Sequence, residues 1–202
     1  DALADRLASQ LKRHIGKGPA PTLGVCGPAA AGKSSLSVRL AERLDNDGFT
    51  VGYIEADQAC WRGDGFRYTQ GEATRTTRLQ GPAIVDEVGL ARTIRHERAR
   101  CDIVIVEGCF VGLDHDVYAQ LNMLVGVVLD DRERLAAKYA RDTLGGGRRI
   151  DVVSDFAAKT HHENQDGVAP ALARASMIWD RSTGRVWERE ANETWERAAS
   201  PN

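Results

Sequence analysis

One stretch constrains this chain more than any other: Gly27-Pro28-Ala29-Ala30-Ala31-Gly32-Lys33-Ser34. Before it stands a short apolar run of strand length, Thr22 to Cys26. After it, Leu36, Leu40 and Leu44 recur at helical spacing within Ser35 to Leu44. Strand, glycine-rich turn and helix in that order are the setting of the phosphate-binding pattern G-x-x-x-x-G-K-S/T. Each position has a physical task. Gly27 and Gly32 let the backbone curl so that successive N–H groups, through Ala29, Ala30 and Ala31, turn inward towards phosphate oxygens. Ser35 lies in the first turn of the helix, whose positive end faces the same place. Lys33 reaches the outer phosphates, and the Ser34 hydroxyl suits Mg²⁺. The stretch predicts nucleotide binding.

Strands alternating with helices predict the architecture around this loop. The spacing predicts a helix over 2–14, a strand over 50–54, a helix over 83–98, and strands over 102–106 and 124–129. The run Asp102-Ile103-Val104-Ile105-Val106 is nearly continuous in apolar residues, which suits a central parallel strand buried on both faces. A helix follows from 131 to 142, then a loop carrying Gly145-Gly146-Gly147, a helix over 151–162, and a last strand at Met177-Ile178-Trp179. The tail after Trp187 alternates in charge and reads as a solvated helix or a frayed end. The expected fold is a three-layer α/β domain with a mostly parallel five-stranded sheet and helices on both faces.

Composition narrows the partners. A formal net charge of −2 over 202 residues gives no bulk basicity, so no nucleic-acid partner is expected. Cys26, Cys60, Cys101 and Cys109 are irregularly spaced and read as buried thiols in a reducing compartment rather than a disulfide framework. No apolar run approaches the roughly 18–20 residues of a membrane span, and Asp1 to His14 lacks a signal-peptide core. A cytoplasmic protein with no membrane partner is the expectation.

Other residues must supply the class of chemistry. The guanine-specific N-K-x-D and the transporter signature L-S-G-G-Q are both absent, which leaves small kinases in front. Asp57 follows the second strand, at the edge of the sheet where ligands bind in open α/β folds. A carboxylate there suits a general base for an attacking hydroxyl; a helix N-cap is the competing reading. Glu55 competes with it for the same task. Arg141, Lys138, Arg148 and Arg149 surround the glycine run, and a closing lid would bring such cations to the transferring phosphoryl group; a solvated basic loop is the plainer account. Residues 57–82 are polar and carry Trp61, Phe66 and Tyr68 among Arg62, Arg67, Arg75 and Arg78. The aromatics suit either an acceptor pocket or a core under a long loop.

The order and spacing of these motifs, from Thr22 to Asp180, resemble the uridine kinase, phosphoribulokinase and bacterial pantothenate kinase group of P-loop kinases. In that group the second strand ends in an aspartate, in a pattern like D-x-F-Y, and Ile54-Glu55-Ala56-Asp57 stands in that place. The third strand ends V-I-V-E-G, matched by Val104 to Gly108. The helix after the fourth strand ends R-x-x-R-D before a lid, matched by Lys138 to Asp142, and His162-Glu163 weakly matches a pair on the next helix. The chain departs from the pattern with Gln58-Ala59-Cys60 ahead of Trp61, and with Lys138 where arginine is usual. These departures leave the donor side intact and the acceptor open.

The resemblance implies a P-loop kinase domain over 1–202, with an N-terminal helix in 1–18, an acceptor-binding segment in 57–82 and a mobile lid at 142–150. It implies ATP and Mg²⁺ as cofactors. Lys33, Asp57, Glu107 and Arg141 would carry catalysis, with Ser34, Glu107 and Asp57 at the metal and Arg141 also at the nucleotide. Asp57, Trp61, Arg62, Phe66, Tyr68, Lys138, Arg148 and Arg149 would meet the acceptor. That acceptor is a small-molecule hydroxyl, a nucleoside such as uridine first, with a sugar, a pantothenate-like acid or a specialised-metabolite intermediate as alternatives. A homodimer is a candidate assembly. A nucleotide-binding regulator without transferase activity is the rival class, and the joint presence of Asp57, Glu107 and Arg141 argues against it.

Overall fold

The strand that leads into the glycine-rich stretch, β1 (Thr22–Cys26), is flanked on both sides by strands from later in the chain. It pairs in parallel with β5 (Ile103–Glu107) through Val25↔Glu107, and with β6 (Met123–Val128) through Cys26↔Gly126. The computed structural model describes residues 2–59, 67–69, 72–74, 85–141, 167–189 and 195–197, with side chains over 2–57, 85–141 and 167–189. In chain order the remaining elements are α1 (Ala2–Lys12), α2 (Lys33–Asn46), β2 (Val51–Glu55), α3 (Ala56–Ala59), β3 (Arg67–Thr69), β4 (Glu72–Thr74), α4 (Glu87–Arg98), α5 (His115–Tyr118), α6 (Asp131–Tyr139), α7 (Ala169–Arg174), β7 (Met177–Asp180), β8 (Arg185–Arg189) and β9 (Trp195–Arg197).

The main sheet runs β2-β5-β1-β6-β7-β8-β9. Its first five strands are parallel, as the alternation of strands and helices predicts. Burial explains why β1 and β5 read so clearly: every residue of both is buried. Ile103 and Ile105 face a core shared with α1 and α2, where Leu3, Leu7, Leu11, Leu36, Leu40 and Leu44 pack. Val104 and Val106 face the opposite core, with Leu90, Ala91 and Ile94 of α4 and Val117 of α5. Alternate side chains therefore supply two separate hydrophobic layers, and the strand has no wet face to mark its period. Each fully buried leucine contributes about 1.5–3 kcal/mol relative to exposure.

The tail corrects an expectation. Where a solvated helix or frayed end is predicted after Trp187, the chain forms two further strands. β8 pairs antiparallel with β7 through Ile178↔Trp187, and β9 pairs with β8 through Arg189↔Trp195. The reason lies in what these strands bury. β8 is only partly covered, so alternating charges sit beside a tryptophan without a wide apolar stripe. Arg6 of α1 also pairs with Glu188 of β8, tying the hairpin to the first helix.

Smaller adjustments concern helix ends. The helix expected from 83 begins at Glu87, and the one expected to reach 142 ends at Tyr139 with a wider turn at 140–141. Trp61, Arg62, Phe66, Arg75, Arg78, the 142–150 segment with Arg148 and Arg149, the helix over 151–162 and His162-Glu163 lie outside the described residues. Arg67 and Tyr68 lie on β3, which among the described residues pairs only with β4. Among the described residues, no helix is long and apolar enough to cross a membrane.

Candidate active site

The loop after β1 adopts a conformation that only its glycines permit. Gly27 has φ 140° and Gly32 has φ 101°. A Cβ on Gly27 would stand 2.1 Å from the Val127 carbonyl oxygen, so this position needs glycine for space as well as for rotation. Between them Ala30 is held at φ 65°, a left-handed conformation that costs a non-glycine residue about 1–3 kcal/mol. Such strain persists only where surrounding contacts fix it. Here the Ala31 N–H donates to the Pro28 carbonyl at 3.2 Å, and Lys33 Nζ donates to the same oxygen at 3.2 Å. Ser35 falls in the first turn of α2, behind Gly32.

Lys33 is buried at the start of α2, with Nζ 3.5 Å from Cys109 Sγ. Burial alone would lower its pKa; the Cys109 sulfur, Asp57 and Glu107 around it reverse that, and the ammonium is held above the ordinary lysine value. Ser34, one residue on, donates its hydroxyl to Glu107 Oε1 at 2.7 Å. Glu107 ends β5 directly beside the loop, because β1 and β5 pair in register through Val25↔Glu107. Burial pushes its carboxyl pKa up, opposed by the Ser34 hydroxyl and Lys33. The Tyr53 hydroxyl approaches the same oxygen at 3.5 Å.

Asp57 completes the group from the other side. It is the second residue of α3, at the end of β2, and both its carboxylate oxygens stand 3.3 Å from the Cys109 N–H. It therefore uses its oxygens across the site rather than as a helix N-cap. Glu55 sits opposite Glu107 in the β2–β5 register, half-buried. Asp57 also lines a shallow surface hollow, whose walls combine Val85, Leu90, Phe110 and Val111 with the carboxylates of Glu87 and Asp114.

The structure brings Lys33, Ser34, Asp57 and Glu107 together beside the loop of Gly27, Ala29, Ala30, Ala31 and Gly32. Lys138 is buried on α6, and Arg141 is exposed just beyond that helix. Four residues escaped sequence reasoning. Cys109 meets both Lys33 and Asp57, and burial pushes its thiol up to about 11 against the pull of Lys33, so it stands as a neutral thiol. Tyr53 meets Glu107. Arg134 and Arg181 reach carbonyls of the loop itself. Arg134 had a legible signal: 134, 138 and 141 fall on one helical face at i, i+4, i+7. The other three had none, since their contacts come from elements distant in sequence.

A phosphate-cradling loop at the carboxyl edge of a parallel sheet, with a lysine, a hydroxyl and two carboxylates around it, defines a P-loop nucleotide-binding protein of the kinase type. The comparisons with known proteins carry this further. The model of the phosphoribulokinase/uridine kinase family matches residues 66–186, more than half of the chain. The chain belongs to that family. The matched segment starts after the phosphate loop, so loop geometry and family match are separate observations. A uridine/cytidine kinase of Arabidopsis thaliana, chloroplastic UKL1, is 35% identical over 82 residues, which is 40% of this chain and 17% of that protein. Among solved structures, a Silicibacter sp. TM1040 protein provisionally described as a fructose transport system kinase superposes with a TM-score of 0.63 at 16% identity, covering 87% of this chain and 98% of its own. D-glycerate 3-kinase from Cryptococcus neoformans var. grubii gives a TM-score of 0.58 at 13% identity, covering 98% and 100%. At these identities the two structures share the fold.

Proposed function

We propose that this chain is an ATP- and Mg²⁺-dependent kinase that transfers a phosphoryl group to a hydroxyl of a small metabolite, with a nucleoside as the first acceptor to test. The observation that carries the reading is the convergence of Asp57, Lys33 and the Ser34–Glu107 pair on one loop mouth. The loop N–H groups and the Lys33 ammonium suit the nucleotide phosphates. Ser34 and Glu107 present two hard oxygen donors already in contact, a pair that fits Mg²⁺. The metal would neutralise charge on the phosphates as the bond to the leaving group weakens. Asp57, held by the Cys109 N–H, faces the hollow where an acceptor hydroxyl would arrive and is placed to take its proton.

The name of the Arabidopsis relative supports a nucleoside; a sugar, a pantothenate-like acid or a specialised-metabolite intermediate remains the alternative within the same chemistry. The experiment is ADP release across nucleosides, sugars and vitamin precursors, with Lys33→Ala in parallel. We expect acceptor-dependent release that falls roughly 10²-fold or more in the variant, the usual scale for losing one preorganised charge contact. Equal release by Lys33→Ala and wild type would overturn the reading.

A further inference from the structure

In a trans peptide the carbonyl oxygen of one residue and the N–H of the next point in opposite directions, and none of the described peptide bonds is cis. A donor that holds a loop carbonyl from outside therefore aims the following N–H to the inside. Two arginines stand where they do this. Arg134 of α6 is 1% exposed, and its Nη1 donates to the Ala29 carbonyl at 3.4 Å. Its Nε donates to Asp131 Oδ1 at 3.0 Å, which anchors the guanidinium on its own helix. Arg181, in the turn after β7, donates from Nη1 to the Ala31 carbonyl at 2.9 Å, with its guanidinium 5.6 Å from the centre of the Trp179 ring. Gly32 leaves it the room: a Cβ there would stand 2.2 Å from Arg181 Nη1.

The geometry points to Arg134 and Arg181 as positioning residues that preset the loop for phosphate, Arg134 aiming the Ala30 N–H and Arg181 the Gly32 N–H into the cradle. The inference rests on the phosphate-loop reading above and extends it to two side chains that act through backbone carbonyls. It also gives the strained Ala30 its restraint, because the peptide on its amino side is the one Arg134 holds. A loop without the two donors would sample several N–H orientations, and a phosphate would have to select one of them on binding.

Calorimetric titration of wild type, Arg181→Gln, Arg181→Lys, Arg134→Met and Arg134→Lys with Mg·ADP and with inorganic tripolyphosphate tests this. Each arginine loss is expected to weaken both ligands about tenfold, equivalent to about 1.4 kcal/mol. The lysine variants should recover part of the loss, since one donor can still reach the carbonyl. Arg181 is exposed, so Arg181→Gln should melt like wild type in urea, and it carries the test alone should the buried Arg134 variants fail to fold. Unchanged affinity for both ligands in folded Arg181→Gln would overturn the inference. So would weaker ADP binding with tripolyphosphate unaffected, since that places the arginine at the base or sugar. Wild-type protein that binds neither ligand would remove the phosphate-loop reading underneath.

Discussion

Replacing Asp57 by asparagine separates transfer from binding. Among the described residues, this carboxylate accepts from a single N–H, that of Cys109, with each oxygen 3.3 Å away. An amide oxygen still accepts that N–H, so stability should change by about 1 kcal/mol or less. Asp57 is also one of the carboxylates that hold Lys33 charged, alongside Glu107. With Asp57 gone, Glu107 remains beside the ammonium, and one negative charge has left the neighbourhood of the phosphates. Mg·ATP affinity should hold or tighten slightly. Turnover should not: an amide takes no proton at neutral pH, and loss of a general base lowers rates about 10²–10⁴-fold, about 2.7–5.5 kcal/mol of barrier. Calorimetry, urea melts and coupled ADP release on one preparation give the three numbers. Turnover close to wild type would refute the assignment of Asp57 as base. Glu55, opposite Glu107 in the strand register, would then be the carboxylate to replace.

Two further outcomes follow from the same geometry. Glu107 has its pKa raised by burial, so the folded state holds that proton more tightly than the unfolded chain does; the resulting stability is complete below the ordinary glutamate range and is lost as pH rises through the raised value. Glu107→Gln should therefore flatten the decline in ligand-free melting temperature between mildly acidic and neutral pH while abolishing the Mg²⁺ dependence of nucleotide binding, and parallel melting curves would count against it. Gly27→Ala should destabilise the fold by about 2–6 kcal/mol in urea unfolding, summing backbone strain and overpacking, because its Cβ meets the backbone oxygen of Val127 and no side chain can yield there; a loss under about 1 kcal/mol would contradict the observed loop path.

What was legible in the sequence was set by burial on both faces. Thr22 to Cys26 and Ile103 to Glu107 read as strands because their apolar runs are nearly continuous, and the glycines between β1 and α2, with Lys33 opening α2, read as a phosphate loop because their chemistry is local. Glu107 was legible because it closes a strand whose end could be counted. β8 and β9 were not, because their alternating charges have the same composition as a solvated helix, and β8 is only partly covered. Cys109, Tyr53 and Arg181 were illegible for a different reason. Each works through a partner fixed by the order of strands in the sheet, and a single sequence does not display that order.

The place of β1 between β5 and β6 has a consequence for how the molecule is made. A nascent chain that has emerged only as far as α4 already holds every residue of the phosphate loop and neither of the strands that flank it. Glu107 is 73 positions beyond Ser34, and Arg181 is 150 beyond Ala31. Contacts so far apart in sequence form late and slow the search for the native state. Nucleotide can therefore stabilise only a chain that already extends past Arg181, and capture on an immobilised nucleotide would sort such molecules from ones truncated before it.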